Sequence, residues 1–425
     1  MGRPLYQPSF PMRIFVDGTE SFWRPENRTG IQRVVREVCR RCAEQAPAGT
    51  TALAVQFDGR RWGEAIRADG PAYRLFARCR DLAGRGRSFR RLSRAKWAAA
   101  PSQLWHGGAM AWGVLGTLLG SAGARLMRTL LRAAKPVELR AGDVLLVLDY
   151  PVRRFPSVAE AKAKGVRVVS VIYDCVPLSH SQFYPDDEDF AELFRWSAAN
   201  AEGIMTISAY SEQEIRLRLP ASGPWVGHFH LGADFKGVAA GVPRSGLAEA
   251  FRRPCFLMVG TLAPHKNHAQ ALDAMELLWE EGVDASLLII GKVGWQADVL
   301  LGRISTHAEL GRRLFVVHDM DDASLAHAYG QAHALIAASY VEGFGLPLVE
   351  ALGRGLSVIA SDIPVFREIA GAAVDFFPLE DPAALAAELR RKAAAPRRRV
   401  EGWNWLSWDE STRLLLENAV ARLKA

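Results

Sequence analysis

Between residues 334 and 353 the chain changes its hydrophobic period within a few positions, and that change limits the folds open to it. Ala334-Leu335-Ile336-Ala337-Ala338-Ser339 is a short apolar run, whereas the residues after Pro347 follow a helical pattern. Between them lie Glu342, Gly343, Phe344 and Gly345, so the stretch reads as a buried strand turning sharply into a helix. Pro347 stands near the first helical position, where a missing N–H costs nothing. A helix entered this way aims free N–H groups and the positive end of its dipole at whatever lies over the turn. Glycine lets an anion come close to that backbone. Glu342 precedes the turn and Glu350 projects from the first helical turns, so one ligand can meet a carboxylate at each end and amide donors between. A nucleotide sugar has that layout, with diphosphate over the helix start, ribose hydroxyls at Glu350 and the sugar ring at Glu342. Glycines and two acids alone do not separate such a site from an ordinary α/β turn with solvated glutamates.

Similar strand-to-helix changes recur along the chain. Apolar runs at 13–17, 143–148, 166–173 and 204–208 are followed by others at 255–260, 286–291, 314–318, 334–339, 358–361 and briefly at 374. Most are near-continuous, as in parallel strands covered on both faces. Strands alternating with helices predict doubly wound parallel sheets with right-handed crossovers. At 425 residues the chain is too long for one typical domain. The pattern divides it into residues 1–235, a glycine-rich linker at 236–252, a second domain at 253–400 and a final helical element at 401–425. In that last element Trp403, Trp405 and Trp408 suggest an anchor or an inter-domain contact.

Two stretches of the first half carry further information. Thr29 and Gln32 fit a capping box, and Ile31, Val34, Val35, Val38, Cys39 and Cys42 then fall on one helical face. Cys39-Arg40-Arg41-Cys42 spells C-x-x-C, but on that apolar face core packing outweighs redox or metal chemistry. With few cysteines and no secretory signal at the N-terminus, a reducing cytoplasm is expected. Residues 74–140 depart from the α/β rhythm. From Arg74 to Lys135 there are thirteen Lys or Arg against one acid, Asp81, although the whole chain carries only +7. Residues 104–124 contain no Asp, Glu, Lys or Arg, but include six glycines. Attachment to an anionic membrane surface is the leading reading, ahead of a buried helical insertion and of a true span. No nucleic-acid recognition motif accompanies the basic residues, so nucleic acid is not an expected partner.

The longer string from Ser339 to Gly355, continued by Val358-Ile359-Ala360-Ser361-Asp362 and Arg367-Glu368-Ile369-Ala370-Gly371, closely resembles the donor-site region of family 4 retaining glycosyltransferases. Gly260-Thr261-Leu262-Ala263-Pro264-His265-Lys266-Asn267 resembles the G-T-x-x-P-x-K-N string of the O-polysaccharide mannosyltransferases in that family. The resemblance implies an α/β GT-B fold, two doubly wound Rossmann-like domains facing across a cleft, with the C-terminal element folding back on the first. It implies catalytic roles for Glu342, Lys266 and Asp174. It implies donor contacts from Gly30, Ile31, Gly260, Thr261, Asn267, Met320, Gly343, Phe344, Gly345, Leu346 and Glu350. The family commonly has His-Asp where this chain has Tyr173-Asp174, so only Asp174 is carried over. Other branches carry an arginine near Thr261 that this chain lacks, leaving Lys266 and the Gly345 helix start to meet most of the phosphate charge.

The implied activity is retaining transfer of a hexose, mannose from GDP-mannose as the best reading, to a lipid-linked or membrane-proximal glycan in surface polysaccharide biosynthesis, such as that of lipopolysaccharide. Rhamnose or glucose transfer, a GT-B sugar epimerase or phosphorylase, and a catalytically silent membrane-bound scaffold are the alternatives. No cofactor and no metal are expected. Asp187-Glu188-Asp189 spells Asp-x-Asp but reads as a solvated loop away from any strand end. The expected location is the cytoplasm, at the inner face of the cell membrane.

Overall fold

The structure is a computed structural model that describes residues 11–23, 30–65, 134–149, 151–184, 187–234, 247–318 and 320–424. In the first domain β1 (Met12–Asp17), β2 (Thr50–Phe57), β3 (Trp62–Glu64), β4 (Val144–Val147), β5 (Arg167–Val171), β6 (Gly203–Thr206) and β7 (Trp225–His228) form one sheet, ordered β3-β2-β1-β4-β5-β6-β7. In the second, β8 (Cys255–Val259), β9 (Ser286–Ile290), β10 (Leu314–Val317), β11 (Ala334–Ala337), β12 (Val358–Ser361) and β13 (Asp375–Phe377) are ordered β10-β9-β8-β11-β12-β13. Apart from the antiparallel β2–β3 pair, the pairings between these strands are parallel. β4 and β9 are buried along their whole length, as strands must be when helices cover both faces.

Both sheets reverse their strand order beside the first strand, between β1 and β4 and again between β8 and β11. At such a switch point the crossovers leave to opposite faces, and a crevice opens outside the carboxyl ends of the strands. The two crevices face each other.

Several local expectations are corrected. β2, β3 and β7 have no counterpart in the sequence reading, because Thr50, Thr51 and Gln56 break the apolar run in β2 and Gly227 interrupts β7. Asp187, Glu188 and Asp189 are exposed as expected, but they lie at a helix start and not in a loop. Asp187 is the N-cap of the helix Glu188–Asn200, its side chain accepting from Phe190 N at 2.9 Å. The last part of the expected linker is structured, since Ala248–Phe251 is a 3₁₀ turn and Leu247 and Ala250 are buried. The rest of that linker at 235–246, Thr29 of the capping box, and residues 66–133 with most of the basic and apolar segment lie outside the described residues. Among the described residues no helix is long and apolar enough to cross a membrane.

Cys39 and Cys42 are buried free thiols, and burial pushes Cys42 up to about 12, so both pack as small apolar side chains. The helix Trp408–Lys424 crosses back onto β6, β7 and the helix Gly30–Arg41. Trp405 Nε1 donates to Leu231 O and Ser411 Oγ to His230 O, each at 2.7 Å.

At the first switch point Asp17 ends β1 and Asp149 follows β4, both buried. Arg154 Nη1 lies 3.0 Å from Asp17, while Ser21 donates its N–H and hydroxyl to Asp149 at 2.9 Å. Burial, helped by Asp17, pushes Asp149 up to about 7 against those hydrogen bonds. A carboxyl raised in the folded state stabilises most below its unfolded pKa, and that gain is lost as pH rises through the folded value. Asp149 is therefore expected to remove on the order of 4 kcal/mol as pH rises from about 4 to above 7. Urea unfolding of wild type and Asp149→Asn across that range checks this: the variant should lack that component of the slope, and parallel curves would refute it.

Candidate active site

The second switch point brings together segments far apart in sequence. Gly260 follows β8 and leads through a short 3₁₀ turn, Pro264–Lys266, to the helix His268–Glu280. Ser339 and Glu342 follow β11. Tyr340 N donates to His265 O at 2.8 Å, tying the two loops side by side, and Ser361 Oγ on β12 donates to Ser339 O at 2.6 Å. Lys266 Nζ is ion-paired with Glu342 Oε1, which also accepts from Ser339 Oγ at 2.7 Å. The two side chains are 19% and 14% exposed, so the pair is largely desolvated yet open to the cleft. Burial alone would raise the Glu342 carboxyl, but the Lys266 charge and these hydrogen bonds outweigh it and hold the group below the usual range.

Gly345 enters the helix Leu346–Gly353 at φ +100°, a left-handed conformation that glycine adopts without strain. Five residues on, Glu350 is 4% exposed. Its Oε1 pairs with the Arg33 guanidinium from the other domain, and its Oε2 accepts from Tyr329 OH at 3.0 Å. Burial nevertheless leaves Glu350 raised, the opposite of Glu342.

The turn between the glutamates rests on the first domain. The Gly343 carbonyl accepts from Ser208 Oγ at 2.7 Å and Ser211 Oγ at 3.3 Å. Asp174 stands so close that a Cβ on Gly343 would lie 2.6 Å from Asp174 Cβ. Burial pushes Asp174 up to about 6, with a further push from Glu342 and an opposing pull from Lys266 and Val176 N. Beside it, Tyr173 donates its hydroxyl to Leu148 O at 2.8 Å from a buried position and acts as a strut between strands. Two further contacts hold the domains together. Glu368 accepts from Ala209 N and Tyr210 N at 2.8 Å and pairs with His230 at the same distance. Phe183 stacks on Tyr340 and Tyr184 on His265, with the Trp295 ring tilted against Tyr184, while Trp295 Nε1 donates to Phe183 O at 2.6 Å.

A cleft of about 770 Å³ runs between the domains. Glu342, Lys266, Asp174, Gly30, Ile31, Gly260, Thr261, Met320, Gly343, Phe344, Gly345, Leu346 and Glu350 all border it. Asn267 is not among the residues that border the cleft. It is buried in a left-handed conformation (φ 52°) and caps the His268 helix, its amide bonded to Gln270 at 2.6 Å, so it shapes the loop that presents Lys266. Sequence reasoning missed Arg33, Tyr329 and the cross-cleft roles of Ser208, Ser211 and Glu368. For Arg33 the available signal was its place one turn after Gly30; for Tyr329, inside an ordinary amphipathic helix, there was none.

Chemically the site offers a cation and a helix N-terminus for a diphosphate, a carboxylate beside each, and a cleft large enough for a small-molecule ligand. Among the described residues no group of three His, Cys, Asp or Glu is arranged to hold a metal. Residues 245–399 match the family of glycosyl transferases group 1. That match takes in the second of the two doubly wound domains, and the pair facing across a cleft is the GT-B arrangement.

Over 312 residues the chain is 35% identical to the serotype-specific mannosyltransferase WbdA of Escherichia coli, a match covering 67% of this chain and 38% of that protein. The match thus spans less than two fifths of that relative's length. Its fold is shared with sucrose-phosphate synthase from Thermosynechococcus elongatus, at TM-score 0.56 and 16% identity over 97% of each chain. An alpha,alpha-trehalose-phosphate synthase (UDP-forming) from Burkholderia xenovorans has the same score at 15% identity, covering 97% of this chain and 100% of the other.

Proposed function

We propose that this protein is a retaining glycosyltransferase that moves a hexose from a nucleotide sugar to a glycan or lipid-linked acceptor in surface polysaccharide biosynthesis. The observation that carries the reading is the Lys266–Glu342 ion pair, set at a switch point beside the Gly345 helix start. The donor lies with its diphosphate over that start, its ribose towards Glu350 and its sugar beside Glu342. As the sugar–phosphate bond lengthens, positive charge grows on the sugar and negative charge on the diphosphate. Lys266 and the helix amides stabilise the leaving group, and Glu342 holds the sugar hydroxyls and faces the developing cation. The acceptor attacks the face that the diphosphate leaves, and a diphosphate oxygen takes its proton.

Mannose from GDP-mannose is the favoured donor, supported by the mannosyltransferase name of the WbdA relative. The first domain holds the acceptor and the second the donor. The basic and apolar residues between 74 and 135 support a lipid-linked acceptor and a place at the cytoplasmic face of an anionic membrane. No divalent metal is required, because Lys266 and the helix start face the position given to the diphosphate.

The test is a panel of nucleotide sugars screened for thermal stabilisation of the purified chain. GDP-mannose should stabilise it, and product analysis with an O-polysaccharide primer should give an α-linked mannoside at a rate that survives chelation. No stabilisation by any nucleotide sugar would refute the reading. Isomerised sugar nucleotide without acceptor would favour an epimerase.

A further inference from the structure

We propose that Arg33 is a donor-binding residue supplied by the first domain, and that it exchanges partners when the donor enters. Its guanidinium leaves Glu350 for the diphosphate while the ribose hydroxyls take its place on that carboxylate. This rests on the reading above that a nucleotide sugar lies between Lys266 and Glu350. Two helix starts meet across the cleft: a Cβ on Gly30 would lie 3.5 Å from Leu346 Cδ1. Arg33 is one turn into the first helix and Glu350 one turn into the second, so each lies just behind the place given to the diphosphate.

Both oxygens of Glu350 already hold a hydrogen-bond donor from the protein. Arg33 covers Oε1 from the first domain and Tyr329 holds Oε2 from within the second. A ribose approaching from the cleft therefore meets the guanidinium before it meets the carboxylate. Removing one member of a buried ion pair is strongly unfavourable, because the other is left uncompensated. The pair opens cheaply only if a donor for Glu350 and an anion for Arg33 arrive together. A nucleoside diphosphate brings both, as vicinal hydroxyls at one end and phosphate oxygens at the other. The guanidinium has to move by about one helical turn, roughly 5 Å, to reach the start of the Leu346 helix. The Trp408 ring, 5.9 Å from it, lines its present position. Lys266 shares its charge with Glu342, so a second cation suits a group of two negative charges.

The exchange separates two ligands that a merely structural arginine would treat alike. GDP and UDP contain the diphosphate, whereas guanosine and uridine contain only the hydroxyls. Titration calorimetry of the full chain, with ligand-observed NMR for the weaker nucleosides, is expected to show Arg33→Ala weakening the better-bound diphosphate by about tenfold or more. The matching nucleoside should bind as in wild type or more tightly. Arg33→Lys should recover part of the loss, and Arg33→Gln covers the case that alanine unfolds the chain. An equal loss for diphosphate and nucleoside, or no change in either, overturns the proposal. If wild type binds neither GDP nor UDP, the functional reading fails first and this inference falls with it.

Discussion

Replacing Lys266 with alanine is expected to lower transfer by about a hundredfold or more, the scale on which one preorganised charged group stabilises a transition state. Glu342→Ala should cost as much by a different route. Lys266 sets the charge of Glu342, and Glu342 fixes the place of Lys266. Without Lys266, Glu342 keeps the Ser339 hydrogen bond but loses the cation that offsets its burial, and its carboxyl moves up towards protonation. Without Glu342, Lys266 loses its ion-pair partner and is no longer held at the position proposed for the departing diphosphate. Groups that act as a unit are not additive, so Lys266→Ala/Glu342→Ala should be little worse in turnover than the worse single variant. The double variant should also melt above at least one single variant, because it leaves no unpaired buried charge. The pH sign is set by the lowered Glu342 carboxyl: the pair stabilises the fold above the unfolded glutamate pKa, and that contribution is lost as pH falls through the folded value. Steady-state kinetics with thermal melts measure all of this. Wild-type turnover from either single variant would remove the pair from the mechanism.

The residues that could be read in advance are those whose role is local. A strand, a glycine turn and a helix start lie within twenty positions, so the placement of Glu342, Gly345 and Glu350 around one turn followed from hydrophobic period and turn chemistry alone. Lys266 follows a strand-end glycine, but what singled it out was the resemblance of Gly260–Asn267 to the G-T-x-x-P-x-K-N string. What could not be read depends on how two sheets meet. Arg33 looks like any polar position on an amphipathic helix until the domains are set face to face and Glu350 appears opposite it. Glu368 reads as a surface acid of the helix Pro364–Ala370, yet its carboxylate satisfies two amides at the start of the helix Ala209–Arg216 in the other domain. Asn267 is the opposite case. It lies inside a ligand-like string, but an N-cap in left-handed backbone uses its side chain for the fold. Strands β2, β3 and β7 were missed because polar residues or glycine interrupt their runs, and their place in the sheet is set by neighbours distant in sequence.

Gly343→Ala is expected to reduce kcat/KM by at least about tenfold, although only a methyl group is added. The new Cβ would stand 2.6 Å from both Cβ and Oδ2 of Asp174, closer than such atoms approach. Overpacking of this kind costs about 1–3 kcal/mol, and here either the turn or the domain contact must move. Shifting the turn displaces Glu342, its neighbour; parting the domains breaks the hydrogen bonds from Ser208 and Ser211 to the Gly343 carbonyl. Gly345→Ala is the control. Its methyl would meet Phe366 at 2.6 Å within the second domain, at φ +100°, so its cost is local strain and not domain separation. Small-angle scattering distinguishes the two, since Gly343→Ala should become less compact and Gly345→Ala should not. Removing the opposing side chain in Gly343→Ala/Asp174→Gly should restore compactness without restoring turnover, because Asp174 borders the cleft itself. If Gly343→Ala turns over like wild type, the close seating of this turn against Asp174 is not part of the working enzyme.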